Sequence, residues 1–297
     1  MKHVKKKYIV FSILFIVLFS WQYTQQRKTS LRYLDGNGKE AILILPKKDK
    51  KRLLGLMEKL FAEDNFAYTL LGSKPISWAS YQAPFPFVNW STFCDSLKKY
   101  NRTMYLGWKT WEKYHHLFPL DNFFAETSKR YPSSISILML DEERFNAVVQ
   151  KNKKDFEDVL HREIEDGFQL LREAKDCSLM HEVLEGHQAL IGIVLGYGRE
   201  NSWQFLEKSE KQVPLGWVWN EWDYWGEKDR LSQYSSSTEH NLSLYSCPSF
   251  AGNPSSEESL ALKKDYLQTK QKVLDYYKGK DFLEATLSLL AGFRLEE

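Results

Sequence analysis

The chain has 297 residues, 43% of them hydrophobic and 27% charged, with a formal net charge of +2. That composition excludes wholesale disorder, and it carries too little apolar sequence for a polytopic membrane protein. Lys2, Lys5, Lys6, Lys7, Arg27 and Lys28 fall in the first 28 residues with no acid among them, so the rest is slightly acidic, which excludes an electrostatic grip on nucleic acid.

The first element is the run YIVFSILFIVLFSW over residues 8–21, preceded by Lys5, Lys6 and Lys7. Fourteen helical residues reach roughly 21 Å, short of the ~30 Å hydrocarbon core, as in a signal peptide. Lys7 and Arg27 nevertheless enclose nineteen residues, and snorkelling ends with Trp21 and Tyr23 at the interface extend the span to about 28 Å. No small-x-small cleavage site follows Ser20-Trp21-Gln22. The expectation is an uncleaved single-pass anchor that contacts membrane lipid through residues 8–23. The lysine excess before it keeps the N-terminus cytoplasmic and the globular part extracytoplasmic. Secretion after signal cleavage is the alternative.

Residues 31–34 and 41–45 flank Asp35-Gly36-Asn37-Gly38, which predicts a hairpin. After Pro46, residues 50–62 place Leu53, Leu54, Met57, Leu60 and Phe61 at helical spacing. Residues 66–71 and 76–81 read as a second pair of strands around Gly72-Ser73-Lys74-Pro75. Helical periods then dominate at 93–99 and 104–118, with one strand at 135–140 before a helix opening at Asp141. Residues 155–175 predict one amphipathic helix carrying Phe156, Val159, Leu160, Ile164, Phe168 and Leu171. Residues 181–195 read as buried, closed by Gly196-Tyr197-Gly198. Ser255-Ser256-Glu257-Glu258 reads as a capping box for a helix to Tyr277, and Asp281 with Glu284 opens the last one.

The expected fold is α+β and mostly α. A cytoplasmic basic tail and single N-terminal transmembrane helix over 1–28 precede one extracytoplasmic domain over 29–297. That domain is mixed α/β to about residue 90, with a small N-terminal β element, and mainly helical after it. Residues 232–256, with nine serines, form a long loop whose Tyr234, Tyr245 and Phe250 favour packing onto the body.

Two clusters carry chemistry. In His181-Glu182-Val183-Leu184-Glu185-Gly186-His187 the two histidines are six apart rather than four, so a zinc-protease helix fails. His181 with Glu185 remains a metal pair only if a third ligand converges, and His115, His116, His161 and His240 are such by residue type alone. No metal or other cofactor is expected.

The second cluster, residues 217–225, holds Trp217, Trp219, Trp222 and Trp225 with Glu221 and Asp223. Indole faces beside carboxylates suit sugar stacking, and paired carboxylates suit glycoside hydrolysis when about 5 to 10 Å apart. Ser96-Leu97-Lys98-Lys99 lacks the companion motifs of a serine hydrolase. Asn89, Asn101 and Asn241 stand in glycosylation sequons. Cys94, Cys177 and Cys247 form no metal-binding spacing.

The function expected from these features is a membrane-anchored binding or interaction domain, not an enzyme, whose four tryptophans take a protein or glycan partner. The alternatives are a cell-envelope glycan hydrolase using Glu221 and Asp223, or a metal-dependent hydrolase using His181 and Glu185.

Overall fold

The computed structural model describes residues 28–83, 99–118, 120, 122–207, 213–214, 247–248 and 250–292. The apolar run 8–21 and the segment 217–225 lie outside them. Among the described residues no helix is long and apolar enough to cross a membrane.

The hairpin forms as its turn chemistry predicts: β1 (Lys28–Leu34) pairs antiparallel with β2 (Glu40–Pro46), Leu31 facing Leu43. Asp35 closes the turn, its carboxylate accepting from the Asn37 and Lys39 amides, both at 2.9 Å. One face of the hairpin is buried through Leu31, Leu43 and Leu45, while Ile42 and Ile44 on the other stand 59% and 62% exposed. Helix α1 (Lys47–Met57) follows and widens into a π-type turn, Glu58–Glu63.

Residues 66–71 form helix α2 (Phe66–Leu71), not the expected strand. Five of its six residues are buried, with Phe66 and Ala67 in one core and Tyr68 in another. A short run buried on every side shows no period, so the sequence pattern does not separate helix from strand there.

Strand β3 (Ile76–Gln82) does form, followed by α3 (Lys99–Tyr114), β4 (Phe123–Thr127) and β5 (Ser134–Leu140). The sheet is antiparallel in the order β3-β5-β4. Both of its faces are covered. Ile137 and Met139 of β5 join the core built on the hairpin, α1, α2 and α3, whereas Leu138 and Leu140 join a second core beyond the sheet. Alternation of side chains along a strand makes this division, and burial on both faces explains the nearly continuous apolar sequence.

The second core is helical: α4 (Glu142–Lys151), α5 (Lys153–Leu160), α6 (Gly167–Glu173), a π-type turn (Leu179–Val183) and α7 (Gln188–Val194), with α8 (Arg199–Leu206) packed beside α7. The single helix expected over 155–175 is broken at His161, which takes φ 51°. Asp166 starts α6 by accepting the Gln169 amide at 2.7 Å. Gly167 marks the reason. A Cβ there would lie 2.6 Å from the Asn146 Cα, so α6 begins where its backbone meets α4 too closely for any side chain. The apolar spacing of 155–175 reported burial correctly but not the corner between the two helices.

A short pair, β6 (Val213–Pro214) with β7 (Ala251–Gly252), precedes α9 (Glu257–Tyr277) and α10 (Phe282–Leu290). Helix α10 closes the first core and ties down β1, Glu284 accepting the Arg32 amide and Ser288 the Leu34 amide, both at 2.9 Å. Asp281 caps α10 through the Glu284 amide, as expected. At α9 the N-cap is Ser256, which accepts the Ser259 amide at 3.1 Å. Glu258 does not complete that box. Its two oxygens accept the Arg199 and Asn201 amides at 2.8 and 3.0 Å, so it caps α8 across 57 residues of sequence. The architecture is mixed α+β, mostly helical.

Candidate functional site

A cavity of about 470 Å³ lies where β3, the β4–β5 turn, the π-type turn, α7, α8 and β7 meet. Strand alternation turns Trp78 away from the first core and toward this side. The β4–β5 turn supplies Arg130 and Tyr131, and the π-type turn supplies His181.

Glu182 locks these pieces together. Its Oε1 accepts from Ser128 Oγ at 2.7 Å and from the Lys129 amide at 2.9 Å, and its Oε2 accepts the Ser178 amide at 2.8 Å. Burial alone would raise this carboxyl, but those bonds and the Arg130 amide outweigh it and hold the group below its ordinary value. One ionised carboxylate thus fixes the β4–β5 turn against the π-type turn. His181 is held edge-on between Tyr131 and Trp78, with ring centroids 5.0 and 5.9 Å away. Burial holds its imidazole below the ordinary value, Glu182 opposing and Arg130 reinforcing the shift.

The opposite wall is built by a tight α7–α8 corner. Helix α7 ends in a Schellman motif, the Tyr197 amide reaching Gly192 O and the Gly196 amide Ile193 O, both at 3.0 Å, with Gly196 at φ 81°. That motif sets Tyr197 into the wall, where Phe250 stacks on it at 4.8 Å with the planes 12° apart. Buried Asn201 then secures the rim. Its amide nitrogen donates to Tyr197 O, and its Oδ1 accepts the Asn253 amide and Ser259 Oγ. The result is a cavity lined by the rings of Trp78, Tyr131, Tyr197, Phe205 and Phe250, with Ile191 and Leu195 beneath them. Cavities of this size and lining are the usual form of small-molecule sites.

No known family model, curated protein or solved structure matches the chain. The site's chemistry therefore rests on its own geometry.

Of the candidate catalytic, binding and metal residues read from the sequence, His181 is the one among the described residues that lines this cavity. Glu185 sits on the turn after it at φ 53°, so residues 181–187 are not one helix and the one-turn spacing of the pair is lost. His187 occupies the N-cap position of α7 without a side-chain capping bond, and its ring lies 5.7 Å from that of Trp203. Among the described residues no group of three histidine, cysteine or acidic side chains converges on a metal position. Trp217, Trp219, Glu221, Trp222, Asp223 and Trp225 lie outside the described residues, as do Ser96, Cys94, Asn89 and Asn241. Asn101 is buried with its Oδ1 accepting the Gln82 amide at 3.1 Å, which closes that sequon to a glycan.

A second, wider cavity of about 970 Å³ lies across the sheet edge and mixes Glu126, Glu142, Arg172, Lys175, Asp176 and Cys177. Its thiol is raised by burial and by nearby Glu182 and Glu126, so Cys177 stays a thiol and not a nucleophilic thiolate.

Trp78, Arg130, Tyr131 and Tyr197 carry no motif and were not legible as site residues. The expectation that the serine-rich loop packs onto the body through its aromatics was the signal for Phe250.

Proposed function

We propose that the chain is a membrane-anchored, extracytoplasmic binding protein whose ligand site is the aromatic cavity between the π-type turn, α7, α8 and β7. The observation that carries this reading is the convergence of five aromatic rings from separate segments on one preformed volume, pinned by Glu182, Asn201 and Glu258. Membrane attachment is supported by the apolar run at 8–21 and by the hairpin that begins at Lys28. The outer face of that hairpin sets Ile42 and Ile44 beside exposed Lys28 and Arg32, a pattern suited to a lipid surface. Trp217, Trp219, Trp222 and Trp225 follow β6 in sequence and remain in the proposal as a second aromatic element for a protein or glycan partner.

Two measurements test this. Full chain is expected to pellet with membranes, while a chain lacking residues 1–27 stays in the supernatant; a full chain free in solution would remove the anchor. For the cavity, full chain in phosphatidylcholine nanodiscs, read against empty nanodiscs, is expected to take up the neutral bicycle 2-naphthol saturably. Phe250→Ala removes the ring stacked on Tyr197 and weakens that uptake about tenfold. Uptake that does not saturate, or that ignores Phe250, discards the site.

A further inference from the structure

We infer that the ligand of this cavity is an anion, a planar apolar molecule carrying one carboxylate, and that Arg130 at the mouth is its counter-ion. The inference rests on the cavity being a ligand site, as proposed above, and adds the ligand's charge and polarity pattern. It starts from a charge left over.

Among the described residues, Arg32, Arg52, Arg144, Arg162, Arg172 and Arg199 each face a carboxylate within 4.0 Å. Arg102 and Arg130 have no such partner among them, and of these two only Arg130 lines the cavity. Its guanidinium is exposed and lies 5.6 Å from the ring centroid of Tyr131. It also sits 4.0 Å from where a Cβ on Gly186 would stand, which places it across the turn at the cavity rim. Glu182 already accepts from Ser128, Lys129 and Ser178, and it holds the Arg130 backbone amide, not its side chain.

The cavity lining completes the argument. Among its described residues no aspartate or glutamate occurs, and Arg130 is the one permanent cation. A sugar-binding site would set carboxylates around the rings to take hydroxyl protons, and none stands among the described lining residues; Asn201 and Ser202 spend their polar atoms on protein partners, which leaves the Gln188 amide, His181 and, as the permanent charge, the guanidinium at the entrance. Arginine presents a planar fork that matches a carboxylate in two parallel hydrogen bonds, and stacking over Tyr131 presets its orientation. A flat apolar body inside and a carboxylate at the mouth fit that order of surfaces.

The test uses full chain in phosphatidylcholine nanodiscs and compares 2-naphthoate with its neutral isostere 2-naphthamide by equilibrium dialysis. The acid is expected to bind about tenfold tighter than the amide at 50 mM salt, with the gap narrowing at 500 mM as the exposed charge is screened. Arg130→Gln should bring the two ligands to parity and leave naphthamide within twofold of its original affinity, while Arg130→Lys restores part of the gap. Equal binding of acid and amide to the unaltered chain, both weakened by Phe250→Ala, would overturn the anionic ligand and leave the cavity a site. Saturable binding of neither would overturn both.

Discussion

Replacing Lys74 by methionine is expected to stabilise the protein by about 3 kcal/mol at pH 7. Lys74 stands in the turn between α2 and β3, only 3% exposed. Its ammonium donates to Ser77 Oγ at 3.2 Å and lies 6.0 Å from the Tyr197 ring centroid. Burial pulls its pKa from 10.5 to about 7, with Asp64 opposing. A base whose folded pKa is depressed costs stability wherever the unfolded chain binds the proton and the folded one does not. The cost is therefore full below about pH 7 and disappears as pH rises through 10.5. At about 1.4 kcal/mol per unit it amounts to roughly 5 kcal/mol, and loss of the Ser77 bond and the ring contact returns part of that. Urea unfolding of both proteins checks it. The difference should shrink from pH 7 to pH 10.5, and a variant less stable at pH 7 would contradict the argument. The comparison must be between the two proteins, because buried tyrosines with raised pKa, Tyr197 at about 12 among them, lower the stability of both above pH 10.

Glu126→Ala is expected to cost about 3 kcal/mol and to loosen the ligand site at the same time. Glu126 projects from β4 at 8% exposure. Its oxygens accept from Ser178 Oγ at 2.5 Å and from the Leu179 amide at 2.8 Å, at the start of the π-type turn that carries His181 and Glu182. Burial raises this carboxyl, with the bonds from Ser178, Leu179 and Met180 pulling it back, so the ionised group is itself expensive. Removing it is worse. The Ser178 hydroxyl and the Leu179 amide are then buried without acceptors, and each such orphan costs ~1–3 kcal/mol. Glu126→Gln keeps one acceptor and should lose about half as much. Hydrogen exchange at Leu179 and Met180 should quicken by more than in α10, and 2-naphthol affinity should fall with it. Unchanged exchange at those amides would show that the turn does not depend on Glu126.

The sequence by itself determined the elements whose signals are local. The Asp35-Gly36-Asn37-Gly38 turn, the strand at 135–140, the cap at Asp281 and the glycine stop after α7 all follow from backbone preferences or hydrogen bonds reaching only a few residues, and the start of α9 was placed to within one residue, at Ser256 where the capping box put Ser255. Tertiary structure alone decided the rest. Helix α2 exists because α9, β3, β5 and the π-type turn at 58–63 pack around it, and the corner at 161–167 exists because α6 meets α4 at Gly167. Glu258 serves α8 in place of its own helix for the same reason: the best unsatisfied amides near it belong to a distant segment. The cavity is the extreme instance, since Trp78, Arg130, His181, Tyr197 and Phe250 are brought together by sheet pairing and helix corners across 172 residues of chain. Apolar periodicity records that a side chain is buried. It does not record against what, and a binding site is made of that second quantity.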